Sequence, residues 1–307
     1  MYTEMKKIIS KNKKYPLVTV ITPTYNRAPF LEETILSVLN QNYPNLEYIV
    51  LDDGSTDNSA KVIKKFKDKI IWETHKNIGE VPTVNKGLAM SHGEIIGVVN
   101  SDDPLLPGAI SEIVKFMGEN PEIIVAYSDW IIIDGKGRRV KNVITKDYDY
   151  EYMLKTHNCP LGASAFFRKK VLDKLKGRDV SFKYISDFDF WLRAGLIGNF
   201  ARIPKFLAAS RVHSDQATIT GRGYKMAMEH IRILNKVFAL PNLPLHIKKL
   251  KSEAYSSACE AVRISRGKTL TMKVLSFLIS IYYMRSSYLK MFIKFRLNKL
   301  QSYKKAS

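Results

Sequence analysis

Cysteine is nearly absent from this 307-residue chain: Cys159 and Cys259 are the only two. That excludes a disulfide framework and a cysteine-rich zinc site, and it fits a reducing compartment. Also missing is the apolar core of a signal peptide, because residues 1–15 are polar and lysine-rich. The apolar run 274–284, broken by two serines and bracketed by Lys273 and Arg285, is too short to span a bilayer as a helix. Acidic residues are few, 29 against 49 Lys plus Arg, for a net charge of +20. The deficit is sharpest in residues 241–307, where fourteen Lys or Arg face only Glu253 and Glu260, a net of +12. Such a block points to an anionic partner surface, either membrane or nucleic acid.

With 45% hydrophobic residues the chain can bury a sizeable core, as one large α/β domain or two smaller ones. Residues 17–22 are β-branched and apolar and predict a buried first strand. A loop over 23–27 leads into a helix with Leu31, Thr34, Ile35, Val38 and Leu39 on one face. Residues 46–51 predict a second strand, and Val62, Ile63 and Phe66 the inward face of the helix after it. Residues 69–73 predict a third strand. Pro82 suits the first turn of the next helix, with Val81, Val84 and Leu88 inward. This alternation predicts a doubly wound, mostly parallel sheet. After the first strand there is neither a Gly-rich dinucleotide fingerprint nor a phosphate-cradling P-loop, which excludes those two nucleotide-binding classes. Further on, Ile110, Ile113, Val114 and Met117 mark a helix, residues 123–127 and 130–133 two strands, and Asp134-Gly135-Lys136-Gly137 a hairpin turn. Residues 147–155 read as a loop or short helix, 163–167 as a short strand, and 187–194 as the start of a helix. Beyond about Gly223 the pattern is wholly helical, with one helix over 226–240 and another over 246–265.

The chain is organised around Ile95-Ile96-Gly97-Val98-Val99-Asn100-Ser101-Asp102-Asp103, an apolar run that ends in two adjacent carboxylates. A buried strand of this kind delivers acidic side chains to its carboxyl end, where open α/β sheets bind ligands. Adjacent like charges persist only if they are solvated, share a proton or are bridged by a cation. A hard divalent metal carrying phosphate oxygens is the most productive of these options. An ordinary polar turn after a strand would also contain Ser and Asp.

Four motifs occur in order: Pro23-Thr24-Tyr25-Asn26-Arg27, Asp52-Asp53-Gly54-Ser55-Thr56-Asp57, Asn85-Lys86-Gly87 and Asn100-Ser101-Asp102-Asp103. In that order and at that spacing they resemble family-2 glycosyltransferases, inverting bacterial enzymes of the GT-A fold. The resemblance covers roughly residues 15–221. It implies an α/β, doubly wound GT-A domain over 16–223, preceded by a polar extension, 1–15, and followed by a basic helical region, 224–307.

The resemblance also implies roles, residue by residue. Thr22, Pro23, Tyr25 and Arg27 would line the nucleotide, with the Arg27 fork near phosphate. Asp53 would accept a hydrogen bond from the base, usually uracil in similar enzymes, and Lys86 would sit near the diphosphate. The acidic pair matches the family's Asp-any-Asp signature, with Asn100 departing from it at the first position. Asp102 would bind Mg²⁺ or Mn²⁺ directly, Asp103 would act behind it or through water, and Asn100 and Ser101 would face the ribose. An amide at position 100 lowers the negative charge of the site, so metal dependence is an open expectation. Ser186-Asp187-Phe188-Asp189 is similar to the family's acidic motif at a helix start. Asp187 would there take the proton from the acceptor hydroxyl, although a helix N-cap is the plain alternative. Asp189 would be structural, paired with Arg193. Arg211-Val212-His213 resembles a late Arg-any-His element whose imidazole, His213 here, reaches the metal or diphosphate.

Residues 288–297 mix large apolar and aromatic side chains with cations, as does a helix lying on an anionic leaflet. Residues 268–307 are therefore expected either to contact the membrane or to pack as helices with solvated lysines. The expectation is a cytoplasmic-side inverting enzyme, peripheral to the membrane, moving sugar from a nucleotide-diphosphate donor to a glycan or lipid-linked glycan. Two rivals stay open. One is a catalytically inactive sugar-nucleotide scaffold, conceivable because of Asn100. The other takes +20 as a nucleic-acid signal, but it leaves the carboxylate motifs unexplained and no specific nucleic acid is expected.

Overall fold

The first strand, β1 (Val18–Thr24), is buried at all seven positions, because strands pair with it on both sides. The computed structural model describes residues 15–213 and 223–265; most of the 1–15 extension and the basic segment 268–307 lie outside the described residues. The first half runs β1, α1 (Ala28–Leu39), β2 (Leu46–Asp52), α2 (Ser59–Lys64), β3 (Ile71–Thr74), α3 (Glu80–Met90), β4 (Ile95–Val98), α4 (Ala109–Glu119). The order β3-β2-β1-β4 is parallel throughout, which is the doubly wound arrangement expected of alternating strands and helices. Each helix buries the predicted stripe: Leu31, Thr34, Ile35 and Val38 in α1, and Val81, Val84 and Leu88 in α3.

β1 runs two residues beyond its predicted end and includes Pro23. The Ile21 carbonyl accepts from Val99 and the Thr24 carbonyl from Asp53, so alternate residues face β4 and β2. Pro23 faces the β4 side, where that strand has already ended at Val98, so its missing N–H leaves no ladder bond unmade.

The sheet continues through β5 (Ile123–Ile133), β6 (Arg139–Val143), β7 (Phe166–Arg168) and β8 (Asn199–Arg211). β7 joins β4 to β5 by antiparallel pairing, while β8 runs parallel along β5. Residues 123–133 form one strand, not the two predicted. Ser128 and Asp129, which look like a break, are buried with partners: Ser128 bonds Ser164, and Asp129 takes two bonds from Arg202 and two from Thr145. β8 has no counterpart among the predicted elements. Its Pro204-Lys205 bulges out between the pairs Ser128↔Ile203 and Asp129↔Phe206, a break that hides a strand from pattern reading. Two helices complete this part of the chain, α6 (Lys169–Leu175) and α7 (Ser186–Gly195).

The chain divides into two units, Met1–Tyr148 with Cys159–Gln216, and Asp149–Asn158 with Ala217–Ser307. The second contains α5 (Tyr150–Thr156), α8 (Tyr224–Phe238), α9 (Leu245–Lys249) and α10 (Lys251–Ser265). The predicted helix over 246–265 is thus two, broken at Leu250. Segment Asp149–Asn158, which the sequence places in the first domain, belongs here because α5 buries Met153 and Leu154 among helices. Among the described residues, no helix is long and apolar enough to cross a membrane.

Within the second unit the His157 and His230 rings lie 4.6 Å apart. Burial pushes His157 down to about 4; burial and then the charge of His157 push His230 down to about 3. The unfolded chain therefore binds more protons below its ordinary histidine value near 6.5. The stability gained by keeping both rings neutral is complete above that pH and is lost as pH falls through about 4. Thermal midpoints measured from pH 7 to pH 4 should fall by several degrees, and His230→Phe should flatten the slope. An equal slope in the variant would show that other groups titrate.

Candidate active site

The first two motif loops lock together. Asn26 adopts a left-handed backbone at φ 53°, which asparagine tolerates better than most residues. Its side-chain oxygen accepts from Thr56 N at 2.8 Å and Asp57 N at 3.3 Å, while its own N–H donates to Ser55 Oγ at 2.9 Å. The Ala28 N–H donates to Asp57 and that of Arg27 to Ser59 Oγ. Gly54 is required because φ is +73° and a Cβ there would stand 2.7 Å from Asn77 N. Gly87 lets α3 lie against β1, since a side chain would overlap the Ile21 methyl.

These contacts hold Arg27 with its Nε 3.3 Å from Asp102 Oδ2. From the far end of β8, His213 Nε2 comes within 2.9 Å of the same oxygen. Three residues separated widely in sequence thus converge at the carboxyl end of β4. Asp103 is buried behind them: its oxygens accept from Arg211 N at 2.8 Å and Asn100 Nδ2 at 3.0 Å. Burial and then the Asp102 charge push the Asp103 carboxyl up to about 6. Arg211 is 1% exposed. Its guanidinium donates to the Asp102 carbonyl at 3.2 Å, the Asp134 carbonyl at 3.0 Å and Glu33 Oε2 at 2.5 Å. It lies over the Phe30 ring, which also meets His213 at 4.7 Å.

The other expected nucleotide residues are placed as follows. Thr22 is buried and shares a hydrogen bond with Tyr48, while Tyr25 is exposed beside Pro23. Asp53 accepts from Ile78 N at 2.7 Å and Gly79 N at 2.9 Å, tying the end of β2 to the start of α3. Nearby Thr24 Oγ1, Asp52 Oδ2 and His75 Nε2 are buried without a hydrogen-bond partner, which in a native protein calls for a ligand or water. Lys86 pairs with Glu73 on β3. Ser101 is buried, its carbonyl accepting from Thr34.

Asp187 is exposed in the first turn of α7, whose N-cap is Ile185 with no side-chain cap; the capping alternative does not hold. Asp189 is buried and bonds Arg193 at 2.7 Å, as expected. Arg193 also donates to the Gly177 carbonyl, and Asn85 holds the backbone of Arg178 on both sides. Arg178 reaches Glu80 at 4.0 Å. Loss of hydration raises the Glu80 carboxyl, Arg178 opposes this, and the charges of Asp187 and Asp102 raise it further, although its side chain is 55% exposed. Glu80, Arg178 and Glu33 were not read from the sequence; only the position of Glu80, next to Gly79 at a helix start, offered a signal.

Among the described residues, no three His, Cys, Asp or Glu side chains form a ready metal site. Asp102 Oδ2 and His213 Nε2 nevertheless stand at the separation of two neighbouring octahedral ligands, about 3 Å for bonds of roughly 2.1 Å. Mg²⁺ and Mn²⁺ suit such a site when substrate phosphates and water supply the remaining ligands.

Comparison with known proteins agrees with this geometry. The model of glycosyl transferase family 2 matches residues 19–176. An uncharacterised glycosyltransferase of Rickettsia typhi is 28% identical over 220 residues, 69% of each chain. One from Methanocaldococcus jannaschii is 30% identical over 210 residues, 64% of this chain and 71% of its own. Among solved structures, S. aureus TarS 1–349 in complex with UDP-GlcNAc superposes with a TM-score of 0.69 at 18% identity, covering 85% of this chain and 79% of that one. Mannosyltransferase PcManGT of Pyrobaculum calidifontis, in complex with GDP-Man and Mn²⁺, gives 0.59 at 17% identity, covering 94% and 89%. Those two establish the GT-A fold, and the family match establishes the rest: the chain belongs to glycosyl transferase family 2 and is a glycosyltransferase.

Proposed function

We propose that this enzyme transfers a sugar, with inversion, from a nucleotide-diphosphate donor to a hydroxyl of a glycan or lipid-linked glycan during polysaccharide assembly. The observation that carries this reading is the convergence of Arg27 and His213 on Asp102. A diphosphate is the ligand suited to a guanidinium beside a carboxylate–imidazole pair that can share a divalent cation. The donors bound by TarS and PcManGT are both nucleotide-diphosphate sugars, and we assign that class here.

Asp102 and His213 would hold Mg²⁺ or Mn²⁺, with Asp103 behind them. The cation supplies charge neutralisation for the departing diphosphate. Arg27 stabilises the same oxygens by hydrogen bonding, and Lys86 would sit near the diphosphate. The unpartnered Thr24 and Asp52 oxygens, with Asp53 and Tyr25, make the wall for base and ribose; Asn100 and Ser101 close it. Asp187 takes the proton of the attacking hydroxyl. Direct displacement assisted by one base on the acceptor side yields inversion and requires no carboxylate nucleophile.

A binding-only scaffold is the second reading, favoured by Asn100, whose amide replaces a carboxylate. A screen of nucleotide sugars with and without Mn²⁺ separates the two. Slow donor hydrolysis by the wild type establishes turnover and names the donor, donor binding with no hydrolysis or transfer to any glycan acceptor favours the scaffold, and no binding to any donor overturns both. Asp102→Ala should weaken metal-dependent donor binding by at least about tenfold, read by titration calorimetry; unchanged affinity would remove Asp102 as a ligand.

A further inference from the structure

Between Asp134 and Asp147 the chain carries Lys136, Arg138, Arg139, Lys141 and Lys146, and no acidic residue. This stretch is the β5–β6 hairpin. Its turn is closed by Asp134 N donating to the Arg138 carbonyl and Gly137 N to the Asp134 carbonyl. β6 ends the sheet, and its residues are almost wholly exposed. Arg138 is neutralised locally by Asp134. Among the described residues, Arg139 bonds only a neutral partner, Asn142, and lies over Phe206, so its charge is left uncompensated there. Cations on an edge strand prevent unwanted strand pairing and by themselves imply no ligand. That does not explain Val140 and Ile144, which are 64% and 71% exposed on the same short segment. Ile144 is exposed between half-buried Val143 and buried Thr145, and Val140 sits at a bulge, where the pairing register shifts between Lys141 and Arg139. The apolar side chains are thus held outward by the fold.

We propose that this hairpin docks on an anionic bilayer, with Val140 and Ile144 entering the headgroup boundary and Lys136, Arg139 and Lys141 facing anionic headgroups. Apolar tips among uncompensated cations are the chemistry of an interfacial anchor. Single-stranded nucleic acid is the poorer fit, because residues 135–146 contain no aromatic side chain on which a base could stack. The root of the hairpin is fastened to the active site, since the Asp134 carbonyl accepts from Arg211, which in turn holds Asp102. Docking would set the catalytic cleft beside the bilayer, where a lipid-linked acceptor is held. That last consequence rests on the function proposed above, but the docking itself does not.

The test is sedimentation of the full chain with vesicles of phosphatidylcholine mixed with phosphatidylglycerol, and of phosphatidylcholine alone. Lys136→Ser with Lys141→Ser should lower partitioning into the mixed vesicles about fivefold per lysine, roughly 25-fold together. Val140→Ser with Ile144→Ser, which leaves the charge intact, should lower it roughly tenfold. Lys61→Ser with Lys64→Ser, exposed on α2, should change it less than about twofold. Residues 268–307 are identical in every variant, so differences between variants report on the hairpin. All six side chains are exposed, so melting should match the wild type and confirm folding. Equal partitioning by the Val140/Ile144 pair overturns the proposal, as does an equal loss from the α2 pair. Loss of single-stranded RNA binding with vesicle binding unchanged would make the partner a nucleic acid and also overturn it.

Discussion

Replacing Asp187 by asparagine is expected to lower turnover of sugar transfer by about 10²–10⁴-fold, the usual contribution of a positioned general base, while donor affinity stays within about twofold. The asparagine is isosteric, and its amide oxygen can keep the hydrogen bond that Phe188 N donates to Asp187 Oδ1. Fold and melting midpoint should therefore be unchanged, which separates chemistry from stability. The comparison is Glu80→Gln. The charge of Asp187 also acts on Glu80, which is paired with Arg178. If Glu80→Gln rather than Asp187→Asn abolishes turnover, the base has been assigned to the wrong carboxylate. Full activity in both variants would remove carboxylate base catalysis from the mechanism.

Arg211→Met is expected to have the second-largest effect, and it acts on stability first. The guanidinium satisfies the carbonyls of Asp102 and Asp134 in a buried site, and hydrogen bonds from a charged donor contribute about 1.5–3 kcal/mol each. The Glu33 contact is discounted, because that side chain is 52% exposed and screened by solvent. A loss of about 3 kcal/mol, or roughly 6–12 °C in midpoint for a domain of this size, follows. Donor binding measured well below the midpoint should also fall, because the Asp102–His213 geometry loses its support. Arg211→Lys should recover little of either, since an ammonium cannot serve three acceptors in a fork. A variant that melts like the wild type would show that Asp103 alone braces the site through the Arg211 backbone.

The core of the nucleotide half was legible because it is built from local units. Each βα step places its loop at the same sheet edge, so Pro23–Arg27, Asp52–Asp57 and Asn100–Asp103 could be assigned to one site without knowing any long-range contact. The locking of Asn26 to Thr56 and Asp57, by contrast, needs the two loops side by side. The helix after each strand was equally plain, since Leu31, Ile35 and Val38 repeat with the helical period.

The second half was less legible, and for a physical reason. Its strands β5, β7 and β8 pair across long sequence separations, and their burial is set by neighbours, not by their own pattern. Ser128-Asp129 looks like a break until Ser164, Thr145 and Arg202 satisfy it, and Pro204 ends β8 on paper because pattern alone cannot show a bulge. By itself the sequence determined the parallel sheet and the aspartates at its edge, because these depend on period and spacing, and its four motifs carried the resemblance to the family. Only the tertiary structure decided that Arg211 is buried, that Glu33 is its partner from 178 residues away, that Glu80 pairs with Arg178, and that Val140 and Ile144 are exposed. Arginine and glutamate read as solvated, and valine and isoleucine as core, until the fold supplies the partner or withholds the cover.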